Sequence, residues 1–384
     1  MRVALAGGGT GGHLMPGIAL AQAIEKEGRG SRVLFLASDR EGDVRTLRRY
    51  GFQSVHFTAR PFNTNPLAWP GFCAESAKVF HKAWRVLADF APDAAVGLGG
   101  YVSFFPLLAA RAQRVPILLL EQNVIPGKAT RRLSPLAREV ACQWQETVRY
   151  FGVKVKARVT GNPVRAEVLA GSRDSAAAQL HLDPAKKTML VIGGSQGAHA
   201  LNEMMARSAA SVARAVPGLQ AIHLAGQQDR DEVAAAYAAA GMKAEVAAFL
   251  DDMHLAYSAA DFALSRAGGT TIAELTARGL PAILVPYPYA ADNHQLHNAR
   301  SLADAGGAVV LEQKDFNEQL LAGLIAKFID DQVLVRRMHL SSLAQGRPGA
   351  VETILATLRS LVPARASGAA IESLSPEPVG KEQL

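Results

Sequence analysis

The sequence predicts an α/β protein in which two doubly wound parallel-sheet domains face each other across a cleft. Short apolar runs alternate with longer segments of helical period along the chain, the rhythm of parallel strands covered by helices. Each half opens on an apolar strand, a glycine cluster and an alanine-rich helix. At 384 residues the chain also exceeds what one hydrophobic core usually organises. The halves are therefore predicted to be Rossmann-like units in series.

Eight short apolar runs have the length and the flanking turn residues of buried strands. The expected strands are 2–6, 33–37, 94–97 and 117–121 in the first half, and 189–192, 221–224, 262–265 and 282–286 in the second. Asn162 and Pro163 lie between the two sets. Because the residue before a proline disfavours helix, the domain boundary is predicted there.

The domains are accordingly expected at 1–162 and 163–345. A helix at 350–361 is predicted to pack back onto the first domain, as a terminal helix often does in two-domain enzymes of this kind. Residues 364–384 are rich in Ala, Ser, Glu and Pro and show no apolar period. This tail is expected to be disordered.

Composition restricts the class of protein. A chain that is 49% hydrophobic and 20% charged is typical of soluble globular proteins. Two cysteines, Cys73 and Cys142, are too few for a disulfide framework. No apolar run has the length of a signal peptide or a membrane span, so a cytoplasmic protein is expected. The net charge of +7 favours anionic partners, but without a nucleic-acid-binding motif no nucleic-acid partner is expected.

The first glycine-rich turn, Gly7-Gly8-Gly9-Thr10-Gly11-Gly12, follows the first strand and opens a helix. Glycines let the backbone approach a phosphate, and the helix amino terminus supplies N–H donors and partial positive charge. The turn also satisfies the G-x-G-x-x-G pattern of dinucleotide-binding folds, with Asp39 where a ribose-binding acid belongs. Taken alone, it is compatible with an NAD-dependent dehydrogenase, a sugar-nucleotide enzyme or a turn without a ligand.

A second glycine-rich turn, Gly193-Gly194-Ser195-Gln196-Gly197, occupies the same place in the second half. A dehydrogenase needs one such turn, whereas two facing turns suit a diphosphate held between two domains. Ser195 is expected to donate its hydroxyl to a phosphate oxygen or, alternatively, to cap the following helix. The pair of turns therefore favours a glycosyltransferase that holds a UDP-sugar diphosphate between them.

Three further side chains are candidates for chemistry. His13 begins the first helix and accepts a proton near neutral pH, so it is a candidate general base or, alternatively, a solvated polar residue. Arg165 is expected to bind phosphate with a forked pair of hydrogen bonds, or else to lie on the surface. Glu274 has two interpretations: it accepts hydrogen bonds from a ribose diol, or it forms a capping box with Thr271.

More polar groups are expected at the carboxyl edge of the strands, where α/β sheets bind ligands. Tyr101 and the run Glu121-Gln122-Asn123 follow two neighbouring strands. Asp292-Asn293-His294-Gln295 and Asn298 offer groups suited to sugar hydroxyls, or are simply solvated loop residues. Asp229-Arg230-Asp231 resembles an acid-x-acid metal site but is interpreted as a solvated helix start. No metal site is expected.

A stretch between Trp69 and Arg85 mixes the large aromatics Phe72, Phe80 and Trp84 with basic residues. One interpretation is a core-facing helix with a basic solvent side. The other is a membrane-surface patch that serves a lipid-linked acceptor.

Taken in order, these segments resemble the bacterial N-acetylglucosaminyltransferases of peptidoglycan synthesis, the MurG family. The resemblance extends over nearly the whole chain to about Leu361. The segments that carry it are Gly8-Gly9-Thr10-Gly11-Gly12-His13 with Pro16, Gly97-Leu98-Gly99-Gly100-Tyr101-Val102-Ser103, Glu121-Gln122-Asn123, Thr160-Gly161-Asn162-Pro163-Val164-Arg165, Gly193-Gly194-Ser195-Gln196-Gly197-Ala198, Arg266-Ala267-Gly268 running to Glu274-Leu275, and Asp292-x-x-Gln295-x-x-Asn298-Ala299.

The resemblance implies the GT-B fold, with the acceptor on the first domain and the donor mostly on the second. It implies an inverting transfer of N-acetylglucosamine from UDP-N-acetylglucosamine to the 4-hydroxyl of the muramoyl-pentapeptide of undecaprenyl-diphosphate-linked lipid I, giving lipid II, without an obligatory metal or cofactor. It also implies peripheral contact with the cytoplasmic face of the inner membrane.

Site residues follow from the same resemblance. His13 would be the base, and Tyr101, Glu121 and Asn298 would lie on the acceptor side. The implied donor contacts are Thr10, Gly11, Gly12, Asn123, Arg165, Ser195, Leu250, Gly269, Thr270, Thr271, Glu274 and Gln295.

Two departures from the family pattern affect the acceptor side. Thr130 stands where members often carry Asn, and Phe104-Phe105 precedes Pro106 where a glycine is common. The alternatives to the family activity are the dehydrogenase and a non-catalytic nucleotide-sugar-binding protein.

Overall fold

The computed structural model describes residues 1–28, 30–58, 69–194 and 197–362. Within these ranges it contains two parallel sheets, one in each half of the chain. The first-sheet strands are β1 (Arg2–Gly7), β2 (Arg32–Ser38), β3 (Ser54–Phe57), β4 (Ala94–Gly99), β5 (Ile117–Glu121), β6 (Glu139–Cys142) and β7 (Ala157–Val159). The second-sheet strands are β8 (Thr188–Ile192), β9 (Gln220–Leu224), β10 (Ala244–Ala247), β11 (Phe262–Ser265), β12 (Ala282–Leu284) and β13 (Ala308–Val310).

The helices cover both faces of each sheet. Those of the first half are α1 (Gly11–Lys26), α2 (Glu41–Arg49), α3 (Trp69–Phe90), α4 (Phe104–Ala112), α5 (Lys128–Leu133) and α6 (Gln145–Val148). Those of the second half are α7 (Ala166–Leu169), α8 (Arg173–Gln179), α9 (His199–Ala215), α10 (Arg230–Ala239), α11 (Met253–Ala259), α12 (Gly269–Ala277), α13 (His294–Asp304), α14 (Glu318–Asp330) and α15 (Gln332–Gln345). The last described helix is α16 (Ala350–Leu361).

Both sheets are doubly wound, which confirms the predicted fold class. The strand order is β3-β2-β1-β4-β5-β6-β7 in the first sheet and β10-β9-β8-β11-β12-β13 in the second. In each sheet the chain builds outward to one side of the first strand and then crosses to its other side. The crevices at these reversals lie beyond the carboxyl ends of β1 and β4, and of β8 and β11. Both glycine-rich turns begin at these crevices.

All eight predicted strands are present, and the part of the chain that the structure describes contains five further strands that were not predicted. Four of the five, β3, β7, β10 and β13, are sheet edges of three or four residues. Most of their side chains are only partly buried, because an edge strand has a neighbour on one side only. They therefore lack the continuous apolar run by which a central parallel strand is recognised.

Each sheet has an apolar core on both faces. One face of the first sheet is covered by α1 together with α16, whose Val351, Ile354 and Leu358 are buried in the same cluster as Ile18 and Leu20 of α1. Helix α16 therefore returns the chain to the first domain. The expected tail at 364–384 lies outside the described residues.

Candidate functional site

A cleft of about 640 Å³ lies between the carboxyl edges of the two sheets. Fourteen of the sixteen site residues expected from the sequence line it. They are Thr10, Gly11, Gly12, His13, Tyr101, Glu121, Asn123, Arg165, Leu250, Gly269, Thr270, Thr271, Glu274 and Gln295. Ser195 lies outside the described residues, and Asn298 is found behind the cleft wall.

His13 is half-buried at the amino end of α1, on the first-domain wall. Its Nδ1 lies 3.0 Å from the Thr10 hydroxyl oxygen. The ring lies against Gly99 and Gly100, whose φ angles are +100° and +79°, and a Cβ at Gly99 would lie 2.8 Å from the ring carbon Cδ2. Burial lowers the pKa of His13 below its ordinary value of 6.5, and the charge of His294 across the cleft lowers it further. The imidazole is therefore neutral near pH 7.

The carboxylate of Asp43 accepts a backbone hydrogen bond from the first glycine-rich turn. The Gly9 N–H donates to Asp43 at 2.6 Å, and the Ser38 hydroxyl donates to the same oxygen at 2.5 Å. A buried negative charge under the turn repels phosphate and occupies one of its donors. Asp39, the expected ribose acid of a dinucleotide site, accepts a hydrogen bond from Thr58. This arrangement does not fit the dehydrogenase alternative.

Gly193 and Gly197, at the two ends of the second glycine-rich turn, are packed tightly in the second domain. A Cβ at Gly193 would lie 2.4 Å from the Ala198 backbone nitrogen, and one at Gly197 would lie 2.3 Å from the Ala225 carbonyl oxygen. Gly193 and Gly194 line the cleft. Asp229 accepts a hydrogen bond from Asn202 at 2.7 Å, which is a structural contact within this domain. Within the described residues, no three His, Cys, Asp or Glu side chains are grouped as metal ligands.

Arg165 and Glu274 form a buried pair between the domains. Arg165 Nη2 lies 3.3 Å from Glu274 Oε1, and its Nη1 donates to the Tyr50 hydroxyl of the first domain at 2.8 Å. The Tyr257 hydroxyl donates to the other Glu274 oxygen at 2.8 Å. Burial opposes the charge of Arg165, but Glu274 and Tyr50 raise its pKa above the ordinary value. Arg165 is thus a buried cation, and the surface interpretation is wrong.

The capping-box interpretation of Glu274 is also wrong. Helix α12 begins at Gly269 with Gly268 as its cap residue, so Thr271 lies within the first turn. Glu274 therefore stands too far along the helix to reach back to a cap N–H. The helix begins at Gly269, two residues before Thr271. Glu274 bonds to Arg165 and Tyr257 instead.

The amino ends of α1 and α12 meet across the cleft. The Thr270 hydroxyl donates to the Gly12 carbonyl at 2.5 Å and accepts from the Asn162 amide at 3.2 Å. A Cβ at Gly269 would lie 2.2 Å from the Gln122 carbonyl oxygen of the first domain. Only glycine permits this approach of two backbones. The first turn therefore faces the Gly268–Gly269 turn of the second domain.

The acceptor-side candidates have different environments. Glu121 is buried and accepts hydrogen bonds from the Asn123 and Gly127 N–H groups, each at 3.0 Å, and burial raises its pKa. Thr130, the departure from the family pattern, also bonds to Glu121. Asn298 has no exposed surface; it accepts from the Val124 N–H at 2.8 Å and donates to Asn123 at 3.0 Å. Its expected contact with the acceptor is therefore replaced by a bridge between the domains.

One further side chain of the cleft was not among the expected site residues. Arg266 is buried at the cleft, with Nη1 donating to two backbone carbonyls and its guanidinium 5.6 Å from the centre of the Tyr287 ring. Gln295, an expected donor contact in the same domain, accepts from the Ala267 and Tyr287 N–H groups, which fixes its side chain. Arg266 stands in a motif quoted for the family resemblance, so that motif was the available signal.

Ion pairs join the domains on two sides of the cleft. Arg49 of α2 pairs with Asp251 and Asp252, which follow Leu250 in the second domain. Arg131 of α5 pairs with Asp292 at 2.5 Å. Charged residues spaced more than 150 positions apart give no sequence signal of their pairing.

Two family models match the chain. The glycosyltransferase family 28 N-terminal domain matches residues 3–142, and the glycosyltransferase family 28 C-terminal domain matches residues 188–352. A protein of Thermodesulfovibrio yellowstonii is 36% identical over 363 residues, which cover 94% of this chain and 99% of that protein. One of Halothermothrix orenii is 38% identical over 365 residues, 92% and 97% of the two chains. Both are named UDP-N-acetylglucosamine–N-acetylmuramyl-(pentapeptide) pyrophosphoryl-undecaprenol N-acetylglucosamine transferase.

Solved structures agree in fold. The crystal structure of Acinetobacter baumannii MurG is 29% identical, with a TM-score of 0.72 over 94% of this chain and 99% of that one. A UDP-GlcNAc 2-epimerase from Neisseria meningitidis, at 16% identity and a TM-score of 0.67 over 94% and 100%, shares the fold alone. The identity and coverage of the transferases, with both family 28 domains in order, decide the assignment. The chain belongs to glycosyltransferase family 28 and, within it, to the MurG family of N-acetylglucosamine transferases.

Proposed function

We propose that the chain transfers N-acetylglucosamine from UDP-N-acetylglucosamine to N-acetylmuramyl-(pentapeptide) pyrophosphoryl-undecaprenol, that is, that it converts lipid I to lipid II. The relatives named for this reaction align over almost the entire chain. The observation that carries the proposal is one cleft with a neutral histidine on the first-domain wall and a buried Arg–Glu pair on the other. The neutral histidine suits the role of base, and the buried arginine suits the binding of an anionic sugar nucleotide.

The donor is proposed to lie mostly on the second domain. Its diphosphate would take the N–H groups of the second glycine-rich turn, the hydroxyl of Ser195 and the charge of Arg165. Glu274 has lone pairs beyond those that Arg165 and Tyr257 use, and these would accept the ribose hydroxyls. The remaining proposed donor contacts are Thr10, Gly11, Gly12, Asn123, Leu250, Gly269, Thr270, Thr271 and Gln295.

The reaction is proposed to be a single inverting displacement with His13 as base. The acceptor 4-hydroxyl oxygen attacks the anomeric carbon while His13 Nε2 takes the hydroxyl proton. The bond from that carbon to the diphosphate oxygen breaks, and UDP leaves with the electron pair. Arg165 and the backbone N–H groups stabilise the charge that develops on the diphosphate, which lowers the barrier. No metal is required by this scheme.

A transfer assay tests the proposal. Labelled UDP-N-acetylglucosamine is incubated with a soluble lipid I analogue in the presence of a chelator, and we expect label in the disaccharide product and free UDP. UDP binding without product would instead favour the non-catalytic binding protein. Turnover of NAD without transfer would favour the dehydrogenase.

Replacing Glu274 by Gln is expected to raise the KM for UDP-N-acetylglucosamine about tenfold, because the amide cannot accept the same pair of ribose hydrogen bonds. The change also leaves Arg165 without its carboxylate, so the free energy of unfolding is measured in parallel. Glu203→Gln, on the exposed part of α9, is the matched control. An unchanged donor KM in Glu274→Gln would assign Glu274 to domain structure alone.

We also propose that the protein binds peripherally to the cytoplasmic face of the inner membrane through α3. This 22-residue helix buries only Ala83 and Leu87. Trp69 is 46% and Trp84 37% exposed, and Phe80 packs 6.0 Å from Trp84 between ring centres. Such an aromatic, partly basic helix suits the bilayer interface. Within the described residues no helix combines the length and apolar character needed to cross a membrane.

Replacing Phe72, Phe80 and Trp84 together by Ser is expected to abolish most binding to anionic phospholipid vesicles, because the aromatic area that enters the interface is lost. Vesicle co-sedimentation measures it, and activity on a water-soluble acceptor analogue checks folding. Val333→Ser with Leu340→Ser, exposed on α15 of the second domain, is the control. Full vesicle binding by the triple variant would show that another surface meets the membrane.

A further inference from the structure

Among the described residues, five lysine and arginine side chains line the cleft, and most of them have a partner in the protein. They are Arg45, Arg49, Lys128, Arg165 and Arg266. Arg49 pairs with Asp251, and Arg165 with Glu274. Arg165 is proposed above to bind the donor diphosphate and Arg49 is held by Asp251, so an anion on the acceptor depends mainly on the other three cations.

Three of these cations have no carboxylate partner among the described residues. Arg45 lies over the Phe249 ring at 5.4 Å, and Arg266 is fixed to the carbonyls of Val285 and Pro286. Lys128 differs from both, because within residues 1–28, 30–58, 69–194 and 197–362 it makes no hydrogen bond, ion pair or ring contact with its ammonium group. It therefore leaves one positive charge free on the first-domain wall of the cleft.

Lys128 also lies on the path from the aromatic helix to the cleft. Helix α3 packs on α4, with Phe72 and Phe105 6.4 Å apart between ring centres, and α4 packs on α5, whose first residue is Lys128. The proposed acceptor has the same order of parts: lipid, diphosphate, then the reacting sugar. With the lipid at α3 and the sugar beside His13, the diphosphate must pass between them, beside α5.

The first glycine-rich turn is a poorer seat for that diphosphate. Asp43 takes the Gly9 N–H and places a buried negative charge beneath the turn. Glu121, the nearest acid in sequence to Lys128, is buried with its oxygens bonded to Asn123 and Gly127, and burial raises its pKa. Neither carboxylate is paired with Lys128.

We propose that Lys128 binds the diphosphate of the lipid-linked acceptor and is a specificity-determining residue of the first domain. The inference rests on the proposed transfer function. An ammonium is a compact point charge on a flexible stem, suited to a phosphate whose position is set by other groups. The free acids of the acceptor's peptide are the other anions that Lys128 could contact, and the test separates the two.

The variant Lys128→Met removes the charge and keeps the length of the side chain. We expect the KM for a lipid I analogue to rise about tenfold, with the KM for UDP-N-acetylglucosamine unchanged. Lys128→Arg should restore most of the acceptor affinity. Arg132→Met is the matched control, since Arg132 is an exposed cation on the same helix that does not line the cleft. An equal rise in both KM values would indicate a structural role and overturn the proposal.

Three acceptor analogues identify the anion. The first carries the diphosphate and the full peptide, the second the diphosphate and a peptide with amidated carboxylates, and the third a neutral link with the peptide acids kept. The KM ratio of Lys128→Met to wild type should be about ten for the first two and near one for the third. If the ratio were near one for the second analogue but about ten for the first and third, Lys128 would be assigned to the peptide acids and the diphosphate proposal would be overturned.

The same experiment separates this inference from the proposed function. If the wild-type enzyme transferred sugar to none of the three analogues, the proposed function itself would be contradicted. Transfer by the wild type with an unchanged acceptor KM in Lys128→Met would leave the function standing and remove Lys128 from the acceptor site. The salt dependence of KM gives a second readout, because a charge contact weakens as ionic strength rises.

Discussion

Replacing His13 by Ala is expected to lower kcat for transfer by roughly 10² to 10⁴-fold, because the acceptor hydroxyl loses its general base. Donor binding should fall much less, because the change removes one bond to Thr10, a proposed donor contact, and leaves the Arg165–Glu274 pair intact. Single-turnover rates and the dissociation constant for UDP measure the two effects separately. Unchanged turnover would remove His13 from the base role.

The pH profile gives the same prediction a second check. A base must be neutral. Burial lowers the pKa of His13 below 6.5, so the imidazole stays neutral until the pH falls below its lowered pKa. The acid limb of kcat/KM should therefore lie below pH 6.5 in the wild type and be lost in His13→Ala. His297→Ala, an exposed histidine on α13, is the control and should keep the wild-type profile.

Replacing Gly269 by Ala is expected to lower kcat/KM by about 10²-fold. The added Cβ would lie 2.2 Å from the Gln122 carbonyl oxygen, a backbone atom of the other domain that cannot rotate away. The domains would have to separate by about 1 Å at the point where α1 and α12 meet, and misplacement of reacting groups on that scale costs about two orders of magnitude. Steady-state kinetics give the loss, and small-angle scattering with UDP bound measures the opening.

Gly268→Ala is the matched control. The nearest atom to a Cβ at Gly268 is 3.7 Å away and the residue has a φ of −68°, so alanine fits without moving either domain. Its effect should be much smaller than that of Gly269→Ala, although both glycines stand in one turn. Wild-type kcat/KM in Gly269→Ala would mean that the reactive form does not need this close approach.

Much of the fold could be predicted because its signals are local. Strands β1, β5, β8 and β11 are continuous apolar runs, and the glycine-rich turns after β1 and β8 mark where each strand becomes a helix. The edge strands, such as β7 and β13, were missed because they are short and half-buried.

The candidate site was predicted in part, and its two errors have different causes. Fourteen of the expected residues line the cleft, since the carboxyl ends of parallel strands meet at one edge. The capping box of Thr271 and Glu274 failed because the preceding glycines, not the threonine, start α12. Asn298 was placed beside the acceptor, but the approach of the domains buries it against Asn123. The first failure is a local one, since the glycines directly precede the threonine, whereas the second depends on a residue 175 positions away.

Local signals in the amino-acid sequence were sufficient to predict the two doubly wound domains, the places of the two glycine-rich turns and the family. These follow from periodicity and turn chemistry within a few residues. Contacts between distant segments are visible only in the folded chain: Arg165 pairs with Glu274, 109 positions away, Thr270 bonds to Gly12, 258 positions away, and the Gly9 N–H of the first turn bonds to Asp43. Such contacts form only where surfaces from distant parts of the chain pack together. The partner of each group, the charge near it and the space around it therefore depend on that packing.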